Sequence, residues 1–275
     1  MWIVAASTVI PAAGWLLRPL AALVISLRSI INRPLSPERQ LALQALLACP
    51  TASIGTVTPP ADIKAAQASF PLPITADVYH CGYHSEQSFG AASYLIQRPD
   101  GNVLVDSPRF TPPLVKRLEA LGGVRYLYLT HRDDVADHQK FNDHLSCDRI
   151  LHQDDISSGT QGVEIKLQGQ AATHLADDLE IIPVPGHTKG HTVLLYRKAI
   201  LFTGDHLAWS ARLGHLNAFR RACWYSWPVL MESMKRLLDY EFEWVLPGHS
   251  RRYHADPAIM RQAVEQCIAW MATVA

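Results

Sequence analysis

The stretch LTHRDDVADHQKF, residues 129–141, places two histidines and three aspartates next to the apolar run YLYL of residues 126–129. An apolar run of this length that ends in polar residues is typical of a buried strand that leads into a loop. Clustered acids and imidazoles can form a solvated turn, or they can bind a metal ion, because both are common metal ligands. The remaining sequence decides between these two interpretations.

Three further segments repeat the arrangement of an apolar strand, a turn-forming residue and a potential metal ligand. They are PVPGHTKGHT at residues 183–192, LFTGDH at 201–206 and LPGHS at 246–250. Strand ends hold side chains on a rigid backbone from which they can converge. The recurrence therefore favours one composite site over four unrelated turns.

The wider pattern alternates strands with helices, which predicts an α/β layered fold. Predicted strands are 91–96, 102–106, 125–130, 149–152, 179–184, 192–197, 199–203 and 244–246, and predicted helices are 34–50, 111–121, 134–145, 228–240 and 257–272. Residues 51–73 are rich in proline and are predicted to be mostly linker. We therefore predict an N-terminal extension over residues 1–73 and one domain over residues 74–275.

Composition excludes several classes of protein. The 275 residues are 48% hydrophobic and carry a net charge of zero, which predicts a folded chain without broad affinity for nucleic acid. The 13 histidines favour metal binding. The five cysteines include no CxxC pair, which argues against a disulfide scaffold and fits a reducing, cytoplasmic location.

Residues 2–27 are largely apolar, so membrane attachment or export is the alternative, but Pro11, Gly14 and Arg18 argue against stable membrane insertion.

Taken in order, the four segments resemble the metallo-β-lactamase superfamily, whose pattern is HxHxDH, PGHTxGH, a strand ending in Gly-Asp, and a late Gly-His. The resemblance implies an αββα sandwich with a metal site along one edge. The stretch at 131–138 departs from HxHxDH and is similar to a variant subgroup with HxDDxxDH, some of whose members carry a ferredoxin-like segment in front. Residues 46–54, around Cys49, resemble the tail of such a segment. No cysteine precedes Cys49, and a cluster needs four ligands, so no iron–sulfur cluster is expected.

The resemblance implies two metal subsites. The first comprises His131, Asp133 and His187, the second Asp137, His138 and His249, and Asp205 bridges them. Asp137 is also the expected catalytic residue that orients the attacking water, and Asp106 and His191 are expected to support the ligands from behind. Two alternatives remain open: Asp133 could cap the following helix instead of binding metal, and Asp134 is predicted to be a cap.

The resemblance implies a pair of zinc ions as the cofactor, and the extra carboxylate in the first subsite makes iron or manganese a possible alternative. The implied reaction is hydrolysis of a thioester or another ester-type bond in a small-molecule substrate by a metal-bound hydroxide, similar to glyoxalase II. The alternative is a non-catalytic or single-metal protein that binds a ligand in the same cleft. No nucleic-acid partner is expected.

Overall fold

The computed structural model describes residues 37–274. Its helices are α1 (Pro37–Ala48), α2 (Ile63–Ser69), α3 (Pro112–Ala120), α4 (His138–Leu145), α5 (Trp227–Arg236) and α6 (Pro257–Thr273). Its strands are β1 (Leu72–Pro73), β2 (Val78–His80), β3 (Tyr94–Ile96), β4 (Val103–Val105), β5 (Tyr126–Tyr128), β6 (Asp148–His152), β7 (Ile165–Leu167), β8 (Thr173–Ala176), β9 (Leu179–Pro183), β10 (Thr192–Tyr196), β11 (Ile200–Gly204), β12 (Ala208–Ser210), β13 (His215–Asn217), β14 (Trp244–Pro247) and β15 (Tyr253–His254).

Two large sheets organise these elements. The first has seven strands in sequential order β1 to β7, and the second has six in the order β15-β14-β11-β10-β9-β8. The pairs β4–β5 and β5–β6 are parallel, and so is β11–β14. Parallel neighbours present their carboxyl ends at the same sheet edge, so the loops that follow β4, β5, β11 and β14 can share one site.

The hydrophobic residues form three layers. One core lies between the sheets and contains Tyr94 and Tyr128 of the first sheet and Leu194 and Phe202 of the second. Strand residues that face outward from the first sheet pack with α1 to α4, and those of the second sheet pack with α5 and α6. The alternation of inward and outward side chains along each strand accounts for this division. The result is an αββα sandwich, and the predicted fold class is confirmed.

Several predicted boundaries need correction. Residues 51–62 contain no helix or strand, but the last part of the predicted linker contains α2 and β1, and Ala66 and Phe70 are buried there in the same core as Leu95. Helix α4 begins at His138 rather than at residue 134, since residues 131–134 form a bend and only then does the chain turn into the helix. The short strands β7, β8, β12 and β13 were not predicted, because runs of three or four residues carry little periodicity.

Between residues 37 and 274, no helix combines the length and the apolar character needed to cross a bilayer. The predictions made for residues 2–27, and residues 1–36 of the predicted N-terminal extension, fall outside the described residues.

Candidate metal centre

The loops that follow β5, β9, β11 and β14 meet at one edge of the sandwich. The backbone N–H of Thr192 donates to the carbonyl of Thr130 and joins the two sheets there. The N–H of Ala92 likewise donates to the carbonyl of Gly248. A Cβ at Gly248 would lie 2.9 Å from Oδ2 of Asp134 and 3.2 Å from Oδ1 of Asp205, so only glycine permits this close approach. The composite site predicted from the four segments is therefore assembled.

Five side chains form the centre, in two overlapping groups whose ligand atoms lie within 4.8 Å of one another. Nε2 of His187 is 3.4 Å from Oδ2 of Asp133 and 3.8 Å from Oδ2 of Asp205. Nε2 of His131 is 3.8 Å from the same Asp133 oxygen. The first group is His131, Asp133 and His187, and the second is His131, Asp134 and Asp205.

These five side chains fit a metal ion. Nε2 of His131, Oδ2 of Asp133, both oxygens of Asp134 and Nε2 of His187 are buried without a hydrogen-bond partner among residues 37–274. Leaving one buried polar atom unpaired costs about 1–3 kcal/mol, and more for a charged group. Five such atoms at one place are expected where a cation supplies the missing interaction. Imidazole nitrogens and carboxylate oxygens suit zinc, iron and manganese.

The protonation states of the cluster agree with that fit. Burial lowers the pKa of His131 to about 3, so the imidazole is neutral and can offer a lone pair. Burial, followed by the neighbouring carboxylate of Asp205, raises the pKa of Asp134 well above its usual range. A cation placed between the carboxylates of Asp134 and Asp205 would offset their mutual repulsion and lower the pKa of Asp134. Without one, the folded protein holds several acids close together at a free-energy cost.

His249 reaches the cluster through Asp205. Its Nδ1 lies 2.6 Å from Oδ1 of Asp205, and its Nε2 lies 3.3 Å from the carbonyl oxygen of Phe89. Burial disfavours the charged imidazole, but the Asp205 carboxylate outweighs burial and raises the pKa of His249 to about 10. The same ion pair lowers the pKa of Asp205. In the absence of a metal ion this pairing favours the imidazolium form, with Nδ1 facing Asp205 and Nε2 facing the Phe89 carbonyl.

The structure does not bring Asp137 and His138 to the cluster, and this corrects the predicted second subsite. Oδ2 of Asp137 accepts from the N–H of Phe110 at 2.7 Å, and its Oδ1 pairs with Lys140. Nδ1 of His138 lies 3.2 Å from a guanidinium nitrogen of Arg149. Burial, reinforced by Arg149, lowers the pKa of His138, so its Nδ1 lone pair accepts from Arg149 and is not free for a metal.

Asp134 occupies the position that the sequence analysis gave to those two residues. It was predicted to be a helix cap because acids are common just before helices. It is fully buried and lies in the bend before α4, with Asp137 as the residue that precedes the helix. The signal that could have identified it is the pair of adjacent acids that follows His131 and Arg132, because two neighbouring carboxylates leave at least one without a capping role.

Asp106 supports the cluster through Thr130. The carboxylate of Asp106 accepts from the N–H of Thr130 at 2.8 Å and from its hydroxyl at 3.0 and 3.1 Å, and that hydroxyl lies 2.9 Å from Nδ1 of His131. Because the hydroxyl proton goes to Asp106, the Thr130 oxygen accepts from Nδ1–H of His131. The tautomer assigned in this way leaves the Nε2 lone pair facing the cluster.

His191 lies behind the first group. Its ring stacks on that of His131 with centroids 4.8 Å apart, and its Nε2 accepts from the backbone N–H of Asp205 at 3.2 Å. Burial lowers the pKa of His191 well below its usual value, so it remains a neutral acceptor. The contact fixes the backbone of Asp205 relative to His131.

Asp155 was not predicted, yet it joins two of the ligand-bearing loops. Its carboxylate accepts from the N–H of Arg132 at 3.1 Å, from the hydroxyl of Thr188 and from the N–H of Gly190 at 2.8 Å. It is 1% exposed. One buried carboxylate therefore sets the spacing between the segment that carries His131 and the segment that carries His187. The acids Asp154 and Asp155 after β6 belong to none of the four segments, so the sequence gives no signal for this role.

Comparison with solved structures addresses the fold. VMB-1 aligns with a TM-score of 0.57 and 16% identity, over 74% of this chain and 95% of its own. The DIM-1 metallo-β-lactamase aligns with a TM-score of 0.54 and 16% identity, over 74% of this chain and 96% of its own. The chain has the metallo-β-lactamase fold. ETHE1 from Myxococcus xanthus shares it, with a TM-score of 0.51 and 17% identity over 72% of this chain and 90% of that one.

No protein-family model and no curated protein matches the sequence. Because these three structural neighbours share at most 17% identity with the chain, they establish the metallo-β-lactamase fold and nothing about the reaction.

Proposed function

We propose that this chain is a metal-dependent hydrolase that cleaves a thioester or another ester-type bond in a small molecule. The observation that carries the proposal is the buried set of unpartnered imidazole and carboxylate atoms at the carboxyl ends of the strands. Sites with perturbed pKa values and unpaired ligand atoms in one place are typical of catalytic centres.

His131, Asp133 and His187 would hold one metal ion, and Asp134 and Asp205 would hold a second, with His249 beside it. The bound metal would supply Lewis acidity and lower the pKa of water towards about 7. This set has two imidazoles and three carboxylates, whereas the predicted set has four imidazoles and three carboxylates. The larger share of oxygen ligands makes iron or manganese a stronger competitor of zinc. Elemental analysis of the purified protein decides the metal and its stoichiometry.

The protein's own groups would position the reactants. Both Asp134 oxygens lack a partner, so this carboxylate can orient the attacking water and accept its proton, in the role first assigned to Asp137. His249 has a partly exposed side chain paired with Asp205, so a positive charge on its ring would favour an oxygen that becomes negative nearby in the transition state. The hydrogen bonds from His131 to Thr130 and from Thr130 to Asp106 would stay in place during the reaction.

The test compares His187→Ala with His215→Ala, a partly exposed histidine on β13 that packs on Trp270. Wild type and His215→Ala are expected to contain one or two metal equivalents and to release thiol from acyl thioesters. His187→Ala is expected to lose both properties. Metal content that does not change in His187→Ala contradicts the site. Bound metal without turnover of any thioester or oxygen ester supports the alternative of a ligand-binding protein.

A further inference from the structure

Three aromatic side chains are exposed beside the metal centre, and together they are called the aromatic rim below. They are Phe89, Trp224 and Tyr225, with exposed fractions of 66%, 58% and 50%. Within residues 37–274, no other phenylalanine, tryptophan or tyrosine is as exposed as these three. Single apolar side chains on a surface are ordinary, but rings gathered at one site are typical of a surface that binds a ligand.

Trp224 and Tyr225 are attached to the loop that carries His187. The N–H of Trp224 donates to the carbonyl of His187 at 2.9 Å, and the N–H of Tyr225 donates to the same oxygen at 3.0 Å. The N–H of Ser226 donates to the carbonyl of Gly186 at 2.9 Å. The Trp224 and His187 rings lie 6.3 Å apart, measured between centroids. The backbone of this segment is therefore fixed beside a candidate metal ligand, while the two rings remain exposed.

Phe89 is attached to the opposite end of the centre, beside His249. Its carbonyl oxygen lies 3.3 Å from Nε2 of His249, and its N–H donates to the carbonyl of Glu86 at 3.0 Å. Its φ of 51° lies in the left-handed region, which is uncommon for a bulky residue and is found mainly at functional sites. Because both backbone groups are hydrogen-bonded, the ring is the part of Phe89 that is free to contact a ligand.

The aromatic rim lies at both ends of a row of candidate ligands. Nε2 of His187 is 3.8 Å from Oδ2 of Asp205, and Oδ1 of Asp205 is 2.6 Å from Nδ1 of His249. Trp224 contacts the histidine at one end of this row, and Phe89 contacts the histidine at the other end. A small molecule whose reacting bond lies at the metal centre would therefore place its flanking groups against these rings.

The rings indicate that those flanking groups are apolar. Aromatic side chains offer a large apolar area and lose little rotamer freedom when they bind. Within residues 37–274, no guanidinium stacks on any of the three rings, so their faces are open. A positively charged group is disfavoured there, because the metal ions of the proposed function would lie beside the rings.

We propose that the aromatic rim selects the substrate, and that the substrate is a thioester or ester with an apolar acyl group. The identity of the bound molecule as a substrate rests on the proposed function. Recognition of the apolar group does not depend on turnover, so it can be measured separately.

The first test measures binding with hydroxamates, whose two oxygens bind metal ions. The metal-loaded protein is titrated by calorimetry with acetohydroxamate and with hexanohydroxamate, which has four more methylene groups. Each methylene that leaves water completely is worth about fourfold in affinity, so partial burial on the rim is expected to make hexanohydroxamate bind at least about tenfold more tightly. Equal affinity for the two compounds, or no binding of either, overturns the proposal.

Alanine variants assign the effect to the rim. Trp224→Ala and Phe89→Ala are each expected to lower the ratio of the two affinities to about threefold or less. Ile259→Ala, which shortens an exposed apolar side chain on α6, is the control that keeps the wild-type ratio. A wild-type ratio in both rim variants contradicts the assignment. Self-association that the rim variants lose while the ratio stays unchanged assigns the rings to an interface between two copies of the chain, and also contradicts the proposal.

A conservative variant separates contact with the ligand from support of His187. Trp224→Phe keeps a ring and the backbone hydrogen bonds, so it is expected to recover most of the preference for hexanohydroxamate that Trp224→Ala loses. Elemental analysis of each variant reports whether His187 still holds its metal. If Trp224→Ala loses its metal, and Trp224→Phe regains the metal without the preference, the ring only supports the loop and the proposal is wrong.

The third test uses turnover of the acetyl and hexanoyl thioesters of N-acetylcysteamine. The kcat/KM of the hexanoyl compound is expected to exceed that of the acetyl compound at least about tenfold in wild type and in Ile259→Ala, and about threefold or less in Trp224→Ala and Phe89→Ala. The wild-type ratio in both rim variants contradicts the assigned substrate class. If no variant hydrolyses either thioester, the proposed function fails, and the hydroxamate titrations still decide whether the rim binds an apolar group.

Discussion

Thr130 connects Asp106 to His131, and its hydroxyl can be removed without changing the shape of the side chain. In Thr130→Val the backbone N–H still donates to Asp106 at 2.8 Å, but the hydroxyl contacts at 3.0 and 3.1 Å to Asp106 and at 2.9 Å to Nδ1 of His131 are lost. His131 is then free to adopt the other tautomer, which places a proton on the nitrogen that faces the cluster.

The expected effect is a fall in metal affinity of about 10- to 100-fold, or about 1.4–2.7 kcal/mol, as for other residues that orient a ligand from behind. A competitive titration against a chromophoric chelator measures this change. The matched control is Thr160→Val, which removes a buried hydroxyl that accepts from the N–H of Ser157 at 2.8 Å. If the metal affinity of Thr130→Val lies within about twofold of that of Thr160→Val, the hydrogen bonds through Thr130 do not fix the tautomer of His131 that binds the metal.

Three further predictions concern individual carboxylates. Asp134→Asn is expected to lose bound metal and activity, while Asp137→Asn keeps its metal content by elemental analysis. In the metal-free protein, burial raises the pKa of Asp106 to about 7. The folded state therefore binds this proton more tightly than the unfolded state does. The resulting stabilisation is complete below the pKa of Asp106 in the unfolded chain and is lost as the pH rises through about 7. Urea unfolding of wild type relative to Asp106→Asn should therefore show up to about 4 kcal/mol less stability at pH 8 than at pH 4, and no such trend contradicts the assignment. Asp155→Asn is expected to weaken metal binding about tenfold in the chelator titration, with Asp154→Asn unchanged.

Much of the fold can be predicted from the sequence, because a long apolar run indicates a strand that is buried. Residues 192–196 are buried throughout, and the run that predicts this strand is apolar on both faces because one face meets the other sheet and the other meets a helix. The sequence does not indicate the helix at residues 63–69, because only Ala66 of this helix is buried and the helix has almost no apolar face to detect.

The site divides in the same way. His131, His187 and Asp205 each follow a strong strand and a turn, so their meeting at one edge depends on topology that the strand pattern determines. The choice among Asp133, Asp134 and Asp137 depends on the residue at which the bend ends and α4 begins. Local propensity cannot fix that residue, since every acid in the stretch is a plausible residue to precede a helix.

The central claim is that imidazoles and carboxylates from three separate segments, which carry His131, His187 and Asp205, meet at one metal centre. The most direct measurement is a crystal structure of the metal-loaded protein with anomalous data collected at the absorption edge of the metal found by elemental analysis. The expected result is an anomalous peak about 2.0–2.2 Å from Nε2 of His131 and Nε2 of His187, with carboxylate oxygens of Asp133, Asp134 or Asp205 completing the coordination. A peak at Asp137 and His138, or no peak between His131 and His187, contradicts the account.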